Sequence, residues 1–146
     1  MSNCVTFDAI KVGDDLKQLT KTVTIPQLFM FSAIIWNPQR MHYDPEYART
    51  EAKLPGALVH APLEACFLVQ MLQDHMGVDR SIKKLGWSNR GMAVQDETLV
   101  VGGSIVNKYV KDNERIIECE VWIKNEKGEN VVSGNALIVD HEKLIN

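Results

Sequence analysis

The chain has 146 residues, 45% of them hydrophobic and 24% charged, and a formal net charge of −3. That composition excludes a disordered polymer, which would hold too little apolar surface to offset its ordering entropy. The acidic balance leaves no broad basic footprint for nucleic acid or an anionic membrane, so neither is expected as a partner.

Taken in chain order, Met1 to Asp15 shows no basic region followed by an apolar run. No segment approaches the ~20 apolar residues needed to cross a bilayer, and a cytoplasmic protein is expected. Thr20 to Ile25 carries β-branched residues in weak alternation and predicts a strand. Pro26 then opens an apolar run, Leu28 to Trp36, that suits a short helix ended by Pro38. A second short helix is predicted from Asp44 as N-cap and Pro45 as its first residue, which puts His42 in the bend between the two. From Pro62 to Met76, the three-and-four spacing of Ala65, Leu68, Val69, Leu72 and Met76 predicts a long, mostly buried helix, widened by Phe67 and Met71. Gly77 stands where a left-handed cap is expected, and Glu64 sits in the first turn at the positive end of the helix dipole.

Beyond Ser81 the period becomes that of strands: Ser81 to Asn89, Thr98 to Val110, Ile116 to Asn125 and Asn130 to Val139. Turn signals at Arg90-Gly91, Lys111-Asp112-Asn113 and Glu126-Lys127-Gly128 predict three successive hairpin-like connections, hence an antiparallel meander. Helices first and strands afterwards make an α+β domain over residues 1–146, with the long helix against a curved sheet.

Cys4, Cys66 and Cys119 are odd in number and widely spaced, which suggests neither a disulfide framework nor a zinc site; Cys66 and Met71 read as core. Four histidines at 42, 60, 75 and 141 have no ligand spacing, so no metal is expected, and His75 and His141 read as surface residues. Arg80, Lys83, Lys84 and Arg90 are the basic residues that could together meet a phosphorylated ligand, against solvated surface as the plainer reading.

The chemically suggestive groups concentrate in Trp36-Asn37-Pro38-Gln39-Arg40-Met41-His42-Tyr43-Asp44 and Pro55-Gly56-Ala57-Leu58-Val59-His60-Ala61-Pro62-Leu63. These two segments resemble the W/F-N-x-x-R-I/M-H-Y-D and P-G-x-V-V-H-G-P-L motifs of MaoC-like hot-dog-fold enoyl-thioester hydratases and dehydratases. The likeness is to the branch of mitochondrial-type 3-hydroxyacyl-thioester dehydratases and mesaconyl-CoA hydratase-like proteins, and it runs from about Phe7 to Asp140. It implies a single hot-dog domain and reversible addition of water to a 2-enoyl thioester of CoA or acyl carrier protein, with the R product and without metal or cofactor. His42 would be the general base, since an imidazole with an ordinary pKa of ~6.5 can take and return a proton near neutrality. The Ala61 amide at the start of the long helix would donate to the thioester oxygen, because Pro62 has no N–H.

Two positions depart from the wider pattern. Asn37 stands where most such hydratases carry Asp, and is expected to orient the attacking water; Ala61 stands where Gly is usual. His60, Gly56, Arg40 and Arg90 are candidate substrate contacts. The plainer reading of His60 is a cap or brace of its loop and that of Arg90 a structural residue, while Arg40 reads equally as an ion-pair partner of Asp44 or Glu46, and Tyr43 and Asp44 as packing and cap. Phe29, Ile34, Leu68, Leu72 and Trp87 are candidates to line the acyl tunnel. The fold implies a homodimer or higher homo-oligomer, with a heteromer containing a paralogue as a variant. Two other functions stay open: a hot-dog thioesterase using Glu64, and a non-catalytic partner subunit.

Overall fold

The computed structural model describes residues 6–141. Strand β1 (Leu19–Thr22) leads into helix α1 (Ile25–Ile34), whose start is fixed by Gln27 Oε1 accepting from the Thr24 amide at 2.9 Å and by Pro26 in the first turn. A 3₁₀ turn at Arg40–His42 joins α1 to α2 (Pro45–Thr50). The long helix α3 (Ala61–Met76) follows, then β2 (Arg80–Asn89), β3 (Thr98–Lys111), β4 (Glu114–Lys124) and β5 (Asn130–Asp140). All these elements lie close to where the sequence predicts them.

The strands form one antiparallel sheet in the order β1-β3-β4-β5-β2. This corrects the meander. Two predicted hairpins exist, β3–β4 and β4–β5, but β2 pairs with β5, and Arg90-Gly91 is no hairpin turn. The amides of Arg90 and Gly91 instead bond to the Val131 carbonyl and prolong the β2–β5 ladder. The chain then crosses to the far side of β4, where β3 lies beside β1. A strand's own alternation says which face it buries and nothing about which neighbour it takes. Bulges at Ile82/Lys84, Ile105/Asn107 and Ile123/Lys124 add local twist, and the sheet curls around α3.

α3 rests on β2, β3 and β4 and buries Leu68, Met71, Leu72 and Met76 against Leu99, Val101, Val121, Ile123 and Ile138. Leu68 and Leu72 are therefore core and face no tunnel. Cys66 points to solvent rather than into the core, whereas Cys119 is buried and burial pushes its thiol up to about 12. Cys4 lies outside the described residues. Gly77 ends α3 with φ 72 and ψ −165, a region open essentially to glycine alone, rather than the left-handed helical cap expected.

Two of the four candidate basic residues are held by carboxylates. Arg80 and Asp140 make a buried ion pair at 2.7 Å that ties the first residue of β2 to the last of β5, and Lys83 pairs with Glu114. His75 is half-buried rather than a surface group: its Nδ1 accepts from the Lys17 amide at 3.1 Å, and burial, then the nearby Arg80, pushes its pKa down.

Candidate active site

α1 ends in a tight cap that sets the position of Asn37. Trp36 adopts a left-handed φ of 55, the Asn37 amide bonds to Ser32 O at 2.8 Å, and the Trp36 amide reaches Ala33 O at 3.4 Å. This is a Schellman pattern with tryptophan where glycine normally stands, so the backbone carries strain beside the site. Asn37 Oδ1 then accepts from the Gln39 amide at 3.1 Å, leaving its NH₂ group as the side chain's donor.

The 3₁₀ turn delivers His42, which is 7% exposed. His42 Nδ1 lies 2.8 Å from the Leu58 carbonyl. Only an N–H can donate to that oxygen, so the neutral ring is protonated at Nδ1 and keeps its lone pair on Nε2. The strip 57–59 that supplies this carbonyl is clamped on both sides, Leu58 N to Met41 O and Val59 N to Ala93 O, each at 2.9 Å. Gly56 does not line the cleft. A Cβ there would meet the Gln95 side chain at 2.6 Å, and Gln95 Oε1 accepts from the Ala57 amide, so Gly56 permits a close packing that holds the strip.

His60 ends the strip and precedes α3. Its ring stacks on His42 with centroids 3.8 Å apart and an interplanar angle of 15°, while Phe31 contacts it edge-on. Its Nε2 is 3.0 Å from Ser32 Oγ, and its Nδ1 is buried with no hydrogen-bond partner among the described residues. Burial first, and the charge His42 can carry second, push the His60 pKa down to about 4. The His60 ring is therefore neutral near pH 7.

Ala61 opens α3 with conventional backbone, being absent from the residues of positive φ, so its methyl group brings no strain. The first amides of α3 have no carbonyl within the helix to bond and carry roughly +0.5 of an elementary charge between them. Glu64, one turn in, is 1% exposed. Asn89 Nδ2 donates to its Oε2, yet burial dominates and pushes the carboxyl up to about 7. Asn37, His42, His60, Ala61, Glu64 and Asn89 all line one cleft of about 470 Å³, whose apolar wall includes Ile35, Val59 and Met92.

A family model described as hydroxyacyl-thioester dehydratase type 2 matches residues 10–95. The chain belongs to that family. The matched span of this type 2 dehydratase family member contains every residue lining the cleft. Among curated proteins it is similar to the mesaconyl-C(4)-CoA hydratase of Chloroflexus aurantiacus, 43% identical over 60 residues, which are 39% of this chain and 21% of that protein. The match thus spans about a fifth of that relative's length. Two solved structures share the hot-dog fold. The unliganded R-hydratase PhaJ1 from Pseudomonas aeruginosa has a TM-score of 0.82 at 19% identity, over 94% of this chain and 86% of that one. A MaoC-like dehydratase from Rhodospirillum rubrum gives 0.78 at 18%, over 94% and 97%. At such identities the likeness carries the fold alone.

The other candidate contacts of this dehydratase family member lie apart. Arg40 stacks on Tyr47 and gives its guanidinium to Asp44 at 2.7 Å; that bond holds the arginine pKa up, and the Tyr47 amide and Arg40 together hold the Asp44 carboxyl down. Arg90 lines a separate open hollow with Trp87 and Trp122. Phe29 and Ile34 face outward on α1, away from the cleft. Asp44 is also the α2 cap, accepting from Tyr47 N at 3.0 Å. Asp44→Ala is expected to lower stability by about 1 kcal/mol, measured by urea unfolding.

Ser32 and Asn89 were not foreseen. Ser32 offered a signal, as the one hydroxyl inside the apolar run of α1. Asn89 offered none: a polar residue closing a strand is ordinary, and its partner lies 25 residues away.

Proposed function

We propose that this protein catalyses reversible hydration of a 2-enoyl thioester to a 3-hydroxyacyl thioester, with His42 as general base. The observation that carries the reading is the His42 ring, buried, oriented by the Leu58 carbonyl, with no partner for Nε2 among the described residues, on the cleft that Asn37 and the start of α3 also line. Water held by the Asn37 NH₂ group loses a proton to Nε2 as its oxygen attacks Cβ. The thioester oxygen, where negative charge collects, takes the Ala61 amide, a fixed donor at the positive end of α3. His60, neutral and stacked beneath, holds the His42 ring plane while Ser32 holds His60.

The cleft volume suits a short acyl group with the carrier's arm extending outward, the carrier being CoA or acyl carrier protein. A homodimer is the assembly proposed with this function. The outer face of α1 leaves Phe29, Met30, Ile34 and Trp36 exposed, the last two at 79% and 90%, and a helix so apolar on its outer side is normally covered. A paralogue could cover the same face.

A panel of trans-2-enoyl-CoAs tests the reading: wild type is expected to abolish enoyl absorbance without releasing free thiol. Asn37→Ala is expected to lower kcat more than it raises KM. The buried Glu64 in the cleft is the one observation that favours the thioesterase reading, which thiol release lost in Glu64→Ala and retained in His42→Ala would establish. No turnover of any chain length would move the assignment to a partner subunit.

A further inference from the structure

Hydration needs two proton transfers: one proton leaves the attacking water and another arrives at Cα. Among the described residues, three titratable side chains line the cleft, His42, His60 and Glu64. His42 is committed to the water. His60 is engaged with Ser32 and pushed down to about 4, so near neutrality it holds no surplus proton. Asn37 has an amide, which is neither an acid nor a base at such pH.

We propose that Glu64 is the second catalytic residue of this site, delivering a proton from its carboxyl group to Cα in hydration and recovering it from Cα in dehydration. The inference rests on the hydratase reading above. Glu64 is almost fully buried in the first turn of α3, within the cleft that holds His42, and among the described residues no Lys or Arg lines that cleft to neutralise it. Asn89 from β2 touches it, and His42 from the 3₁₀ turn and His60 from the strip before α3 line the same cleft. Asn89 donates to Oε2, which leaves Oε1 to carry the proton. A carboxyl buried without a cation prefers its neutral form, so the group is still an acid where a solvated glutamate would have lost its proton.

The bookkeeping of atoms closes. A C–O bond forms between water and Cβ, water's proton goes to His42 Nε2, the C=C π bond breaks, and Cα takes the Glu64 proton. The imidazolium and carboxylate so formed attract one another in a site poor in water, and solvent returns the proton from His42 to Glu64.

The test compares wild type, Glu64→Gln, Glu64→Asp and the double variant Asn37→Asp/Glu64→Gln on a trans-2-enoyl-CoA and on its 3-hydroxyacyl-CoA product. Glu64→Gln is expected to lower kcat/KM for hydration by roughly 10²–10³-fold and to abolish exchange of the Cα proton into D₂O. Wild-type hydration is expected to fall as pH rises past about 7; Glu64→Gln loses that limb and Glu64→Asp keeps one. The double variant, with a carboxyl restored across the cleft, recovers part of the lost rate. Glu64→Gln turning over within threefold of wild type with an unchanged pH profile would overturn the Glu64 role and leave His42 standing. A wild-type profile lacking the limb overturns it without any variant, should Glu64→Gln fail to fold. A wild type inert on every substrate overturns the hydratase reading and the Glu64 role together.

Discussion

His42→Ala is expected to lower kcat/KM for enoyl-thioester hydration by roughly 10²–10⁴-fold, the range over which a positioned general base acts. The whole of that loss should appear in kcat. In the proposed mechanism the ring contributes a proton acceptor to the transition state, whereas the apolar wall at Ile35, Val59 and Met92 would hold the acyl group. The alanine variant also strips the Leu58 carbonyl of its donor and His60 of its stacking partner. His42→Asn separates these effects, because its amide NH₂ can still serve the Leu58 carbonyl where Nδ1 did, yet offers no titratable nitrogen. Equal loss of rate in both variants, with the Asn variant unfolding close to wild type in urea, assigns the loss to proton transfer. Either variant retaining rate within tenfold of wild type removes His42 as the base.

The second large effect is on stability. Glu64 has a carboxyl raised from 4.5 to about 7 in the folded state, so the native protein binds more protons than the unfolded chain between those values. Stability from this group is therefore present below about 4.5 and lost as pH rises through 7, by an amount on the order of 3 kcal/mol. His60 acts with the opposite sign. Its pKa is lowered from 6.5 to about 4, so its contribution is complete above 6.5 and lost as pH falls through 4. In wild type the two slopes oppose each other between about 4.5 and 6.5, giving a flat stretch there and a decline towards pH 7. Glu64→Gln removes the first slope and leaves the second. The variant should match wild type near pH 4.5 and exceed it at pH 8 by on the order of 3 kcal/mol, read from urea midpoints across pH. Equal stability of the two proteins at pH 8 would show that Glu64 is solvated. A protein stabilised by losing a buried carboxyl, and slowed by the same change, would show stability traded for chemistry at that residue.

The site was legible in part because its determinants are local. The bend holding His42 follows from Pro38, Asp44 and Pro45 within a few residues, and α3 from the spacing of Leu68, Leu72 and Met76 on one face. The hot-dog architecture and the family followed from the two motifs. What stayed hidden are relations between distant segments. The β2–β5 pairing depends on a strand 50 residues further on, and the stacking of His60 on His42 depends on how the strip 57–59 is clamped. Glu64 was read as a first-turn acid favoured by the helix dipole and as the carboxylate of the thioesterase alternative; only the surrounding packing shows that burial pushes its pKa up. Arg40 was read evenly between ligand and ion pair, and its guanidinium is found with Asp44.

The crossing of the chain from β2 to β3 bears on how the molecule is made. Every cleft residue is synthesised before residue 95, but β2, which ends in Asn89, has no partner strand until β5 at Asn130–Asp140 exists. On the ribosome, the candidate active-site groups wait on a long-range closure that needs β5, the kind of contact that slows folding. The ion pair between Arg80 and Asp140 is the last stitch of that closure. A fragment ending ahead of β5 would carry the whole family signature and yet leave β2, and with it Asn89, without the ladder that places them.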